Sequence, residues 1–284
     1  MQISKLYTQR QPVSFEVFPP KKDADASDIY VALEQMSTLS PDFISVTCGA
    51  GGGKNSSMTT EIASFIQKKH NICSIAHLTC IEATQESIRS LIEQIKLEGI
   101  HNVLALRGDL PPGVQRVSEY MYAEDLIRDV RKSGGLCIGA ACYPEGHIDC
   151  EDLGFDTACL RRKQEAGADF LITQLFFEND FFYRFLERAR GGGVTLPISA
   201  GVMPILSRKQ IERMIFLCGA SLPSGIIKLL HKHDGNPDDL FRAGVEYAAR
   251  QIEDLLHHGV DGVHIYTMNK PYIAEFCMKH IGRA

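Results

Sequence analysis

Residues 12–22 read PVSFEVFPPKK. The run Val13-Ser14-Phe15-Glu16-Val17-Phe18 predicts a β-strand, stopped by Pro19 and Pro20 ahead of Lys21 and Lys22. The exit from this first strand decides between two α/β architectures. An open doubly wound sheet usually leaves its first strand through a glycine-rich GxGxxG turn. PPKK has no such spacing. Downstream, seven further β-prone runs recur at 43–49, 73–80, 102–109, 136–144, 170–177, 197–204 and 261–268, which join the first at 12–19. Their near-continuous apolar character suits strands covered on both faces, as in a parallel sheet. Amphipathic stretches lie between them: ASDIYVALEQMSTL, then ATQESIRSLIEQIKLEG with Thr84 as N-cap and Gly99 as stop, and LRRKQEAGA before the sixth strand. The longest gap, before the last strand, holds helical patterns SRKQIERMIFLCG and PDDLFRAGVEYAARQIEDLLHHG joined by a Gly/Pro/His-rich connection. Eight strands alternating with helices predict a (β/α)₈ TIM barrel, a single α/β domain over residues 1–284, with the open doubly wound sheet as the alternative.

A chain of 284 residues buries a large core without disulfides. Apolar residues make up 44% and charged residues 23%, as in a soluble globular protein. The net charge of −5 gives no support to nucleic-acid or anionic-membrane binding. No run approaches a membrane span, and MQISKLYTQRQ lacks the apolar core of a signal peptide, so a cytoplasmic location is expected. Nine cysteines without a CxxC pair read as reduced, buried thiols. His231, His233, His257 and His258 sit in polar helical surroundings and read as solvated. The glycine loop GAGGGKNSS (49–57) misses the phosphate-loop pattern, because Lys54 is followed by Asn55. No metal triad or nucleophile elbow is evident.

Barrel enzymes carry their sites at the C-terminal ends of the strands. Those ends are Glu16, Thr47, His77, Arg107 with Asp109, Tyr143, Gln174, Met203 and Tyr266. Most are polar although each follows an apolar run, which points to one shared site. Glu16 lies between Phe15, Val17 and Phe18, a setting expected to raise a carboxyl pKa and to suit a general acid. By alternation it shares a face with Ser14 and Phe18. Asp109, beside Gly108 and loop backbone, is expected to stay ionised, so the two carboxyls divide their roles. After the fifth strand come YPEGH (143–147), Asp156 and Arg161-Arg162-Lys163. A helix fans three consecutive cations over about 200°, so one or two can meet an anion while another stays solvated.

SFEVFPP, SVTCGAGG, AHLTC, LALRGDLPPG, AACYPEGH, the spaced Asp156…LRRK, ITQLFF and HIYTMN, in this order from residue 14 to 269, together resemble the bacterial methylenetetrahydrofolate reductase family. The resemblance implies a (β/α)₈ barrel that holds flavin noncovalently, as FAD more than FMN. It implies a ping-pong reaction: hydride passes from a reduced nicotinamide to the flavin, and then to 5,10-methylenetetrahydrofolate, giving 5-methyltetrahydrofolate. The donor is NADH or another electron donor, and a homo-oligomer or a redox partner subunit is compatible with the family.

Carried over by position, Glu16 matches the general acid that assists opening of the imidazolidine ring. Asp109 matches the carboxylate beside flavin and folate. Gln174 matches the amide at the pterin edge. Thr47, His77, Leu106, Arg107, Gly108, Asp109, Tyr122, Ala123, Ala141, Tyr143, His147, Asp156, Cys159, Arg162 and Lys163 match flavin contacts, with Arg162 and Lys163 toward the pyrophosphate. Tyr266, Met268 and Lys270 match the shared nicotinamide and folate pocket. Arg208 stands about where relatives carry a phenylalanine, and is expected to stack on a ring or attract the folate glutamate tail. Met268 and Lys270 replace common leucine and arginine, and Cys159 replaces an amide.

In LALRGDLPPG, Gly108 would let the flavin approach the backbone, and Pro111 and Pro112 would fix the loop holding Asp109. An RGD adhesion loop is the competing reading and would need an exposed tip in a secreted protein. A pterin-binding barrel methyltransferase acting with a corrinoid partner is the alternative function, sharing fold and substrate class but needing no flavin.

Overall fold

The computed structural model describes residues 1–20, 27–48, 56–109, 119–150 and 152–283. Lys21, Lys22, most of the GAGGGKNSS stretch (residues 49–55) and Pro111, Pro112 and Gly113 lie outside the described residues. A 3₁₀ turn, Ile3–Thr8, opens the chain. Next come β1 Val13–Val17, α1 Ser27–Ser37, β2 Phe43–Val46, α2 Ser56–His70, β3 Cys73–Thr79, α3 Gln85–Leu97, β4 Asn102–Leu106, α4 Ala123–Ser133 and β5 Cys137–Cys142. The rest is α5 Leu153–Ala166, β6 Phe170–Thr173, α6 Asn179–Gly191, β7 Ile198–Val202, α7 Arg208–Cys218, α8 Ser224–Lys232, α9 Pro237–His257, β8 Gly262–Tyr266 and α10 Pro271–His280.

All eight strands pair in parallel, in chain order, and β8 returns to β1 to close the barrel. The open-sheet alternative is thereby excluded. Each strand is shorter than its apolar run, because ladder pairing ends where the backbone leaves for the next helix. The ends beyond the ladder become the rim. Thr84 caps α3 by accepting from the Ser87 N–H at 3.1 Å, and Gly99 follows the helix at φ +78°. The connection before α9 differs from expectation: it contains α8, whose Ile226 is fully buried while Leu229 and Leu230 pack beside it.

Alternation sorts each strand into two faces. Val13, Phe15, Val17, Ile44, Val46, Val103 and Ile138 face outward into a core shared with helix residues such as Leu33, Ile66 and Leu126. Inward, at the N-terminal end of the barrel, Phe43, Ile75, Leu104, Cys137 and Phe170 meet Ile3 and Leu6 of the 3₁₀ turn. The Ile3 N–H donates to Asn102 Oδ1 at 2.8 Å, which pins this plug. Gly139 makes the filling possible, since a Cβ there would lie 2.6 Å from the Phe170 ring. Among the described residues no helix is long and apolar enough to cross a membrane, and no group of three or more His, Cys, Asp or Glu side chains is placed to hold a metal. None of the nine cysteines takes part in a disulfide.

Candidate active site

The opposite end of the barrel is open. A cleft of about 970 Å³ runs from the barrel axis outward over β4 and β5 to the first turn of α4 and along α5 as far as Lys163. Its walls include Glu16, Gln174 and Tyr266, together with every position matched above to a flavin contact, from Thr47 to Lys163. Met203, chosen from strand position alone, also lines it.

At the axial end, Glu16 projects inward from β1, its side chain 18% exposed. Its surroundings differ from those expected. Phe15 and Val17 point the other way, into the helix-facing core, and Phe18 lies past the strand end, exposed. The neighbours of Glu16 are two imidazoles: His264 Nε2 at 3.5 Å and His77 Nε2 at 3.7 Å from Oε2. Thr267 donates its hydroxyl to the Glu16 carbonyl at 2.6 Å, fixing the backbone from which the acid projects. Burial lowers the His77 pKa to about 4, against the opposing pull of Glu16, so this ring is neutral. Tyr266 gives its hydroxyl to the Thr173 carbonyl at 2.7 Å. Burial, and next the charge of Glu16, hold its pKa well above the usual phenol range. Gln174 Oε1 accepts from the Leu175 N–H at 2.9 Å, which leaves the amide nitrogen as the donor that can serve a ligand.

Over β4, Arg107 does not pair with Asp109. Its Nη2 reaches Asp149 at 3.0 Å, and Asp109 is exposed at the mouth. Gly108 has φ +88°, and a Cβ there would lie 3.0 Å from Ile81 and 3.3 Å from Thr79. Backbone conformation and packing against β3 and its following turn therefore demand the glycine. Farther out, the three consecutive cations separate as the helical fan requires. Arg161 pairs with Glu165 on the solvent side. Arg162 donates to Glu124 at 3.0 Å and to Cys159 Sγ at 2.9 Å, over the Phe155 ring. Lys163 turns inward and donates to the Ala141 carbonyl at 2.8 Å. Burial depresses its pKa, while Cys142 and Asp156 oppose that shift. Asp156 is buried too, which raises its own pKa against the pull of Lys163. Tyr143 forms the wall between the two ends, with the His147 ring edge-on at 4.7 Å. Burial and then Arg107 lower the His147 pKa.

Three expected residues are not among those lining the cleft. After β8 the chain turns through Met268 and Asn269, both left-handed at φ 54° and 56°, and Asn269 clasps both backbone polar groups of Phe18. That turn carries Met268 into the packing beside Ile205 and Leu240. Lys270 becomes the N-cap of α10, with its amine 6.0 Å from the Phe241 ring centre. Arg208, the first residue of α7, lies beside Asp234 at 3.5 Å. α7 instead offers the cleft Met214 and Cys218. The sequence reading missed these two, as well as Glu124, Asp149 and Phe155. The ion-pair partners lie far along the chain from their cations, so no local pattern reveals them.

A closed barrel with an acid at its axis, and a long cleft ending in cations, defines an enzyme-type (β/α)₈ barrel shaped for an elongated ligand. The family model for methylenetetrahydrofolate reductase matches residues 2–282, and the chain belongs to that family. It is 35% identical to methylenetetrahydrofolate reductase (NADH) 1 of Arabidopsis thaliana, over 95% of this chain and 48% of the plant protein. It is 32% identical to the 5,10-methylenetetrahydrofolate reductase of Escherichia coli, over 91% of this chain and 86% of the bacterial one. The chain therefore spans about half the length of the plant relatives, at 48%. A Clostridium thermocellum protein described as binding two copies of 5-methyl-5,6,7,8-tetrahydrofolic acid shares the fold, with TM-score 0.68, 17% identity, and coverage of 98% of this chain and 97% of the other.

Proposed function

We propose that the chain works as one catalytic barrel over residues 1–284, reducing 5,10-methylenetetrahydrofolate to 5-methyltetrahydrofolate by ping-pong transfer through a noncovalently held flavin. The observation that carries this reading is the meeting of Glu16, Asp109 and Gln174 on the one cleft lined by all the flavin-matched positions. Family membership supports the same substrate. The corrinoid-partner methyltransferase gains no such support. The cleft suits a ligand that is planar at one end and anionic at the other: Tyr143 and Ala141 line it over β5, and Arg162 lines it from α5. That length favours FAD over FMN.

The chemistry a bound flavin supplies is two-electron hydride transfer, first in and then out. The remaining tasks belong to this chain. Glu16 gives its proton to the bridging nitrogen as the imidazolidine ring opens to the iminium. Asp109 sets a negative charge against that cation. The Gln174 amide donates to the pterin edge, and Tyr266 closes the pocket beside Glu16. Arg162 would hold a flavin's pyrophosphate, and Lys163, which donates to the Ala141 carbonyl, would fix the backbone there. NADH is the donor in this reading, with NADPH or a redox partner subunit as the other sources, and cysteines outside any disulfide suit a cytoplasmic protein.

The test is anaerobic. The purified protein, loaded with FAD or FMN, is exposed in turn to NADH, NADPH and a low-potential reductant, and then to 5,10-methylenetetrahydrofolate. Bleaching by a donor and then folate-dependent return of the flavin colour are expected. A protein that retains neither flavin on reconstitution overturns the reading.

A further inference from the structure

At its outer end the cleft is already satisfied by the chain's own groups. Among the described residues two arginines and one lysine line it, Arg107, Arg162 and Lys163. Each has an acceptor on the chain itself. Arg107 reaches Asp149 at 3.0 Å, Arg162 reaches Glu124 at 3.0 Å, and Lys163 donates to the Ala141 carbonyl at 2.8 Å. A diphosphate entering here meets cations that are in use, and carboxylates beside them.

The three contacts differ in what they cost an incoming anion. Asp149 is 65% exposed and can turn into solvent. The Ala141 carbonyl is neutral and adds no repulsion. Glu124 is different: its side chain is only 14% exposed, and it is the second residue of α4, where the helix N-terminus favours an anion. The Arg162 guanidinium lies over the Phe155 ring at 5.3 Å. Its Nε donates to Glu124 Oε2, and its Nη2 donates to Cys159 Sγ at 2.9 Å. Those two nitrogens form one edge of the guanidinium fork, through which an arginine grips a phosphate with two parallel hydrogen bonds. That edge cannot serve Glu124 and a phosphate together. Glu124 has a second cation within reach. Arg128, one turn further along α4, holds Asp125 through Nη1 at 2.9 Å and sets Nη2 3.6 Å from Glu124 Oε1. Arg128 is not among the residues lining the cleft.

We propose that Glu124 is a stand-in anion and a specificity-determining residue for the cofactor: in the flavin-free chain it occupies Arg162, and it passes to Arg128 when Arg162 turns to a diphosphate. The inference rests on the flavin reading above and gives a role to a residue which that reading leaves without one. No covalent bond changes. The Arg162–Glu124 pair opens, and an Arg162–phosphate pair and a closer Glu124–Arg128 pair form. Glu124 therefore weakens the hold on any ligand that brings a diphosphate, and Arg128 limits that loss. Two consequences separate this exchange from a purely structural ion pair. A flavin without phosphate does not feel Glu124, and Arg128 affects binding only through Glu124.

The test reads binding and needs no turnover. Flavin-free wild type, Glu124→Gln, Glu124→Ser, Arg128→Gln and the Glu124→Gln/Arg128→Gln double variant are titrated calorimetrically with FAD, ADP and riboflavin. Glutamine keeps the length of Glu124 without its charge. Kd for FAD and for ADP should fall about ten-fold in Glu124→Gln, because a charge-assisted hydrogen bond no longer has to be exchanged. Riboflavin, which has no phosphate, should bind within about two-fold of wild type. Arg128→Gln alone should raise the FAD Kd about three-fold and should change nothing in the double variant. Glu124→Ser, which keeps a side chain suited to a helix start, should repeat the gain and covers a glutamine variant that does not fold. FAD held no tighter or more weakly without the Glu124 charge overturns the proposal, since Glu124 would then orient Arg162 instead of competing for it. An equal gain for riboflavin overturns it too. The failures are distinguishable. Wild type that takes up FAD, with no gain in either Glu124 variant, keeps the flavin reading and loses the exchange. A chain that takes up no flavin, yet binds ADP more tightly once Glu124 is replaced, loses the flavin reading and keeps the exchange. A chain that binds none of the three ligands loses both.

Discussion

The two ends of the barrel interior use the same strands and the same alternation, yet hold opposite contents. At the N-terminal end Phe43, Ile75 and Phe170 fill the axis, and Ile3 and Leu6 seal it. One inward step along the same strands brings Ser45 and His77, and at the far end of β6 comes Gln174, beside Glu16 and Tyr266. Two residues of chain, about 6.6 Å, separate dry packing from chemistry. Access to water decides each layer. Where a plug excludes water, apolar side chains are held, and a polar one only where it finds a partner, as Asn102 does at Ile3. Where the axis opens to a cleft, polar groups find one another, water or a ligand, and the barrel can keep them without losing its closure.

Glu16 is where this division is most directly open to attack. Glu16→Gln keeps size and hydrogen bonding but has no acidic proton. Stopped-flow measurement should show the folate half-reaction slowed by about 10²–10⁴-fold, while a nicotinamide still reduces the flavin. Normal folate reduction would remove Glu16 from the mechanism. The corresponding lesion in the sealed end is Phe170→Ala. The ring is fully buried, and its loss should lower unfolding free energy by about 3–5 kcal/mol in urea titrations, with the rate per folded molecule little changed. Should Phe170→Ala instead cripple turnover in the folded enzyme, the two layers are not separable.

Much of this division was readable in the sequence, for a physical reason. Strands covered on both faces must be apolar nearly throughout, so the eight apolar runs located every strand, and PPKK after the first pointed to a barrel. Polar residues at run ends then marked the rim. What escaped depends on contacts between distant segments. His264 sits in GVHIY among apolar neighbours and reads as a core residue; only the β1–β8 register sets it against Ser14 and Glu16. Phe15 and Val17 adjoin Glu16 in the chain but occupy the other face, so local composition misjudged its surroundings. Glu124 with Arg162, and Asp149 with Arg107, are pairs made by the fold. α8 was hidden because flanking glycine, proline and histidine dominate its segment.

Asp109 tests whether the polar layer extends to the mouth. It is exposed, so its influence on a forming cation is partly screened by solvent. Asp109→Asn should slow folate reduction by about 10–10³-fold, typical of one lost electrostatic contact. Added salt should narrow the gap between wild type and variant. Unchanged rates in both half-reactions would confine the working layer to the barrel axis.

The smallest effect is expected at Arg208, and it locates the boundary of the cleft. The residue starts α7, its side chain is 57% exposed, and its partner Asp234 is itself 67% exposed. Such a pair contributes little, about 0–1 kcal/mol, and a cation in the first turn opposes the helix dipole. Arg208→Ala should therefore leave stability within about 0.5 kcal/mol of wild type, and folate KM within about two-fold. Met214 and Cys218 occupy the face of α7 that meets the cleft, so a residue at the helix start reaches a bound folate only if the helix moves. A ten-fold rise in KM, with a longer polyglutamate tail losing more than a short one, would show such a movement and extend the polar layer onto α7.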